Sequence, residues 1–211
     1  MLARGTPWFV AIPPALLALT AVAMVAGLLT LAWWSLLAVA LLLMLSFLGI
    51  YFFRDPARTV GEGLVAPAHG RVLGVDEEGD RVRVSTFMGP MDVHVIRAPM
   101  KGKVLSMERS GSGFHRADTS EAGHNVQLRI DLKGDREDFT VVMVSGWFAR
   151  RIVPHISIGD TVERGSRIGL IRFGSRVDVL VPKNDFRITV GPGTVVRAGS
   201  SSLGVRSDAD N

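Results

Sequence analysis

The feature that most constrains this chain is a long stretch without charge. Between Arg4 and Arg54 there is no Lys, Arg, Asp, Glu or His. About 20 apolar residues cross a bilayer, so the run 7–53 is too long for one span and suits two helices joined by a tight turn. The pattern predicts helices at 9–29 and 35–53 and a turn at 30–34, with Trp33 and Trp34 at a membrane interface. Pro13 and Pro14 stand where the first helix begins and mark a late start or a kink. A cleaved signal peptide fits poorly, because the run far exceeds an ordinary apolar leader and no small-residue cleavage site follows it. A buried pair of core helices would need a polar face, and the run has none.

Two spans return the chain to its starting side. Arg4 precedes the first and Arg54 and Arg58 follow the second, so the positive-inside rule predicts both termini on the cytoplasmic side of the cell membrane. A hairpin that enters the bilayer without crossing it would give the same sidedness. Residues 54–211 hold all but one of the 24 basic residues and all 20 acidic ones, a balance too even and dispersed for nucleic acid. The absence of cysteine excludes disulfide frameworks, thiolate zinc sites, iron–sulfur clusters and cysteine nucleophiles. The domain organisation expected is a membrane anchor, 1–53, and a polar domain, 54–211.

The polar domain reads as β. Short runs rich in branched residues, punctuated by glycine, predict strands at 70–75, 81–87, 102–107, 126–132, 139–144, 167–173, 177–181 and 194–198. Residues 146–153 (GWFARRIV) carry the best helix signal, one or two turns. Residues 109–124 have glycine, serine and charge without period, and read as a long loop of the kind that often carries function. Segments 67–72 (PAHGRV) and 99–104 (PMKGKV) share a shape, and 158–165 (IGDTVERG) makes a similar turn. Such phrases resemble barrel-sandwich modules, the fold of lipoyl and biotinyl carriers. The carrier lysine hairpin is missing, which argues against a carrier. The fold class expected is mainly β, a barrel-sandwich-like domain after a helical transmembrane hairpin.

Taken alone, the residues offer few chemical leads. The five histidines, His69, His94, His115, His124 and His155, form no standard zinc spacing. No GxSxG elbow, P-loop or GxGxxG occurs. Gly174-Ser175 reads first as a tight connection between strands. Asp92 and His94, two apart on an extended segment, would share a face. An ordinary ion pair or polar contact explains them as well as catalysis does.

Four blocks in order carry a resemblance. Residues 169–182 (GLIRFGSRVDVLVP), 84–102 with its D-x-H-V-x-R-A-P core, 146–153 with Gly159-Asp160, and 53–56 (FRDP) are similar to the short, pyruvoyl-dependent type of phosphatidylserine decarboxylase. Archaetidylserine decarboxylases are members of the same type. The resemblance runs from about residue 50 to 200.

What it implies is specific. The Ser175 hydroxyl attacks the Gly174 carbonyl, the bond between 174 and 175 breaks, and Ser175 becomes a pyruvoyl group. The β chain, 1–174, and the α chain, 175–211, stay associated. The pyruvoyl cofactor forms a Schiff base with a serine phospholipid of the membrane, and CO₂ leaves to give the ethanolamine lipid. His94 is then the proton donor or base, Asp92 its orienting partner, and Arg97 a holder of the substrate phosphate or carboxylate, or else an ordinary ion-pair arginine. A homo-oligomer is compatible with the resemblance.

Two positions depart from the family pattern. His69 stands where the usual P-A-D-G has its aspartate, so it becomes the candidate processing base. Gly123-His124-Asn125 replaces the usual N-E-R. His69 and His124 would need a third ligand to hold a metal, so no metal is assigned. A relative that binds lipid without processing, and a barrel-sandwich adaptor of a membrane complex, are the competing readings.

Overall fold

The computed structural model describes residues 1–26, 33–147, 151–172 and 175–207. The chain divides into two compact units, Met1–Arg54 and Asp55–Asn211.

In the first unit a 3-10 turn, Trp8–Ala11, leads into helix α1, Ile12–Val25, and α2 spans Trp33–Phe52. Pro13 and Pro14 fall in the first turn of α1, where a missing N–H costs no intrahelical bond. The apolar residues point outwards on all sides, with Leu19, Val22, Leu37 and Phe47 all exposed. Two segments, Trp8–Val25 and Trp33–Phe52, are long and apolar enough to cross a membrane. The hydroxyls of Thr20 and Ser46 donate back to Leu16 and Leu42 carbonyls, which hides them from an apolar surround. The two ends of the hairpin are tied where the Ala3 N–H meets the Phe53 carbonyl at 2.7 Å. Most of the expected turn lies outside the described residues.

The second unit is mainly β, with one short 3-10 turn, Ser120–His124, in the expected long loop. Its strands are β1 Leu64–Val65, β2 Gly70–Glu78, β3 Arg81–Met88, β4 Val95–Arg97, β5 Gly102–Ser110, β6 Gln127–Lys133 and β7 Asp138–Ser145. They continue as β8 Ile152–Pro154, β9 Thr161–Val162, β10 Arg167–Ile171, β11 Ser175–Pro182, β12 Phe186–Ile188, β13 Val195–Val196 and β14 Ser202–Arg206. A curled eight-stranded sheet runs β13-β2-β3-β11-β7-β6-β5-β9, and two three-stranded sheets run β4-β10-β8 and β1-β14-β12. The mainly β unit with a helical hairpin expected from the sequence is what the chain forms. The expected helix at 146–153 is not: Gly146 and Trp147 are not helical, Ile152–Pro154 is strand, and 148–150 lie outside the described residues. The physical reason is β10, which needs β8 as its second partner.

Alternation sets the core. Val82, Val84, Leu128, Ile130, Leu132, Phe139, Val141, Met143, Val177, Val179 and Val181 point to one face and form one cluster. Each such side chain contributes roughly 1.5–3 kcal/mol by burial. Bulges at Val72–Gly74 and Val104–Ser106 bend the sheet around them.

The other face carries a polar network. Thr140 Oγ1 donates to Asp131 Oδ1 at 2.6 Å and accepts from Arg81 and Arg129. Ser106 Oγ donates to Asp131 Oδ2 at 2.9 Å. Burial alone would raise the Asp131 carboxyl, but the bonds from Thr140, Arg129 and Ser106 outweigh it and hold it below the usual range. A depressed carboxyl stabilises the fold above its unfolded pKa, about 3.9, and the contribution is lost as pH falls through the lower folded value. Asp131→Asn should therefore lower the thermal midpoint at neutral pH. The gap from wild type should close below about pH 4, read by thermal unfolding across a pH series.

Candidate active site

Three neighbouring strands leave the large sheet together. β3 ends at Met88, β7 ends at Ser145 and β11 begins at Ser175, and the register sets Ser175 between Met88 and Ser145. Their continuations are β4, β8 and β10, which lie side by side in the small sheet in the same relative order. The connections from β3 to β4, from β7 to β8 and from β10 to β11 therefore meet at one corner between sheets. Gly174 lies outside the described residues, as does Phe173.

Ser175 is fully buried at this corner. Its position in the alternation of β11 matches Val177, Val179 and Val181, so it faces the core side together with Met88 and Ser145. Among the described residues its Oγ has no hydrogen-bond partner, and neither has Ser145 Oγ. Such an orphan costs about 1–3 kcal/mol. Asp178, three residues on, is on the opposite face, where Arg83 and Arg176 engage its carboxylate.

His94 is fully buried and its Nδ1 lies 2.8 Å from the Asp92 carbonyl oxygen. A carbonyl only accepts, so Nδ1 carries the proton and Nε2 of the neutral ring is the accepting nitrogen. The His94 carbonyl in turn accepts from the Ile171 N–H at 3.3 Å, three residues before Gly174.

Asp92 does not orient His94 through its carboxylate. It sits at a bend rather than on a strand, so the two residues do not share a face. One carboxylate oxygen accepts from the Gly89 N–H at 2.8 Å, and the other lies 3.7 Å from His69 Nε2. His69 Nδ1 is 3.1 Å from an Arg58 guanidinium nitrogen. Arginine can only donate, so Nδ1 is the accepting nitrogen and the proton of the neutral ring sits on Nε2, towards Asp92. The lone pair that a processing base would need is therefore already engaged. The ring adjoins the corner because Gly70 lies against Phe87 and Met88, where an added Cβ would meet the Phe87 oxygen at 1.9 Å.

Arg97 takes the second of its two expected readings, the ion-pair arginine. It is 6% exposed and donates to Asp55 at 2.9 Å, to the Gly165 carbonyl at 3.0 Å and to the Pro56 carbonyl at 3.3 Å. Arg167, its register partner, engages the other Asp55 oxygen. This guanidinium is a tie between segments rather than an open anion holder.

Two contributors have no role assigned from the sequence, although Asn125 belongs to the departing Gly123-His124-Asn125 segment. Asn125 is fully buried, and its amide donates to the Ser145 carbonyl at 2.7 Å and the His115 carbonyl at 2.8 Å while accepting from the His115 N–H. It pins the long loop to the strand beside Ser175. Arg172 heads the central crossing and its N–H donates to the Arg151 carbonyl at 3.2 Å. Burial first, and Arg151 second, hold its guanidinium below the usual value. Among the described residues no three His, Asp or Glu side chains gather to hold a metal. A cavity of about 650 Å³ lined by Met100, Lys101, Glu137, Phe186 and Arg206 lies where β6 ends and β7 begins, away from the corner.

The chain matches the family model for phosphatidylserine decarboxylase over residues 45–204. A Halobacterium salinarum protein with the provisional name archaetidylserine decarboxylase proenzyme is 39% identical over 208 residues, covering 96% of this chain and 99% of the relative. A phosphatidylserine decarboxylase proenzyme of Streptomyces avermitilis is 42% identical over 149 residues, 69% of each chain. Another of that name, from Solibacter usitatus, is 40% identical over 193 residues, covering 89% of this chain and 94% of the relative. A match of this extent makes the chain a member of the phosphatidylserine decarboxylase family.

Proposed function

We propose that this protein is a membrane-anchored decarboxylase of a serine phospholipid, phosphatidylserine or archaetidylserine, that makes its own pyruvoyl group from Ser175. The observation that carries the reading is the buried Ser175 Oγ, without a hydrogen-bond partner among the described residues, at the first position of a strand held on both sides. Those residues fit the group. Attack of Oγ on the Gly174 carbonyl moves the acyl link from nitrogen to oxygen. β-Elimination then frees a carboxylate at Gly174 and leaves dehydroalanine at 175, which water converts to the ketone with loss of ammonia. Once formed, the pyruvoyl group supplies an electrophilic carbonyl and a sink for the electrons left when CO₂ departs.

The chain's own residues supply the rest. β11 lies between β3 and β7, β13 pairs with β2, and β14 pairs with β1, so residues 175–207 stay laced into the fold after the bond breaks. Proton transfer falls to His94, whose Nε2 is left accepting by the Asp92 carbonyl. His69, held between Arg58 and Asp92, orders the neighbouring loop instead. The anchor keeps the catalytic unit at the membrane that contains its substrate, on the cytoplasmic side by the positive-inside rule.

Denaturing mass spectrometry should find wild-type protein cut between 174 and 175, with a carbonyl on the smaller chain that reacts with hydroxylamine. Ser175→Ala should stay intact and unreactive. Wild-type protein that remains whole after long incubation would make the chain a non-processing relative.

His94→Ala should reduce lipid product per cut chain by about 10²–10⁴-fold, the usual loss for a general acid–base group. His69→Ala should cost less than about tenfold in that assay, since its lone pair is already taken. Equal losses would reject the division of labour.

Protease added to sealed right-side-out vesicles should spare the β unit. Its digestion would place that unit outside.

A further inference from the structure

We infer that the corner carrying Ser175 presents a docking rim of Met91, Phe114 and Trp147 that seats on the surface of a lipid bilayer, with Arg151 beside it facing the phosphates. The inference rests on the proposed phospholipid substrate and adds the surface through which the β unit meets it.

Three separate segments carry these side chains at the end of the sheet where Ser175 lies. Met91 lies in the crossing from β3 to β4 and is 61% exposed, and Trp147 lies in the crossing from β7 to β8 and is 65% exposed. Those crossings flank the one that leads into Ser175, because β3 and β7 are the two neighbours of β11. Phe114, 37% exposed, precedes His115, which Asn125 binds and joins to the Ser145 carbonyl two residues before Trp147. Apolar side chains thus stand on the two crossings that flank the entry to a fully buried serine and on a loop tied to one of them.

Two other exposed apolar residues of the β unit lie at its sheet edges instead. Val195 is on the edge strand β13, and Ile158 is in the turn before β9 at the other edge. A rim of tryptophan, phenylalanine and methionine matches the boundary between headgroups and acyl chains. The charges agree with that occupant. Arg151 is exposed, Arg172 adjoins it through the main chain, and Arg109 donates to the Ile152 carbonyl at 3.3 Å. Cations standing behind an apolar rim suit a surface whose phosphates overlie hydrocarbon.

The chain has no native cysteine, so single probes can be placed cleanly. Full-length protein carrying Met91→Cys, Phe114→Cys, Trp147→Cys, Ile158→Cys or Val195→Cys would be labelled with an environment-sensitive fluorophore. Each would be reconstituted in vesicles of phosphatidylcholine and phosphatidylglycerol containing lipids with a nitroxide high on the acyl chain. Quenching at 91, 114 and 147 should exceed that at 158 and 195 by about threefold or more, as expected for side chains seated at the interface. Equal quenching at all five positions, or disulfide crosslinking between copies of the Trp147→Cys variant in place of quenching, would overturn the proposal.

A second variant, Met91→Ser with Trp147→Ser, should cleave itself normally and turn over a dispersed short-chain lipid as wild type does. Its turnover of bilayer lipid should fall by about tenfold, the effect of losing apolar anchors. Unchanged bilayer turnover would also overturn the rim. Failure of the wild type to cleave or decarboxylate would instead reject the underlying reading, which the quenching does not depend on.

Discussion

Main-chain hydrogen bonds on both sides of β11 are the constraint from which the site follows. They seat Ser175 between Met88 and Ser145 and bury it completely. The same pairing carries into the small sheet, where β10 lies between β4 and β8. The Asp55 carboxylate helps to hold that second set, receiving Arg97 and Arg167 from two paired strands. Removing one partner of such a buried pair typically costs about 3–5 kcal/mol, because the other charge is left uncompensated. The conspicuous arginine of the family-like block thus supports the site from a distance.

Two histidines near the corner differ through their neighbours alone. His94 faces a carbonyl through Nδ1, which fixes a proton there and leaves Nε2 accepting. His69 faces a guanidinium through Nδ1, which reverses the tautomer. The same ring nitrogen is a donor in one residue and an acceptor in the other. His69 thus forms a hydrogen-bonding joint between Arg58 and Asp92.

Much of the fold was legible because it rests on local period. Each of the eight expected strands overlaps an observed one, from β2 with its apolar alternation to the two-residue β13. Strands β1, β4, β8, β9, β12 and β14 escaped because two to five residues carry too little period and owe their form to a distant partner. The GWFARRIV segment looked helical by composition, yet its end is recruited as β8. At the site, residue types and order pointed to Ser175 and His94, whereas contacts did not. Asp92 turns at a bend, Arg97 meets a carboxylate 42 residues earlier, and Asn125 holds a strand across a long loop. None of these leaves a trace in spacing.

The corner itself has a mechanical consequence. Three strands run side by side in both sheets, so each is held by a neighbour's ladder before and after the corner. A hinge needs a few backbone positions able to rotate independently, and the described backbone on either side of Ser175 is bound into a sheet. Freedom near Ser175 then lies in side-chain rotamers more than in the paired backbone. What such a scaffold presents is relief on a stiff surface rather than closure around a guest.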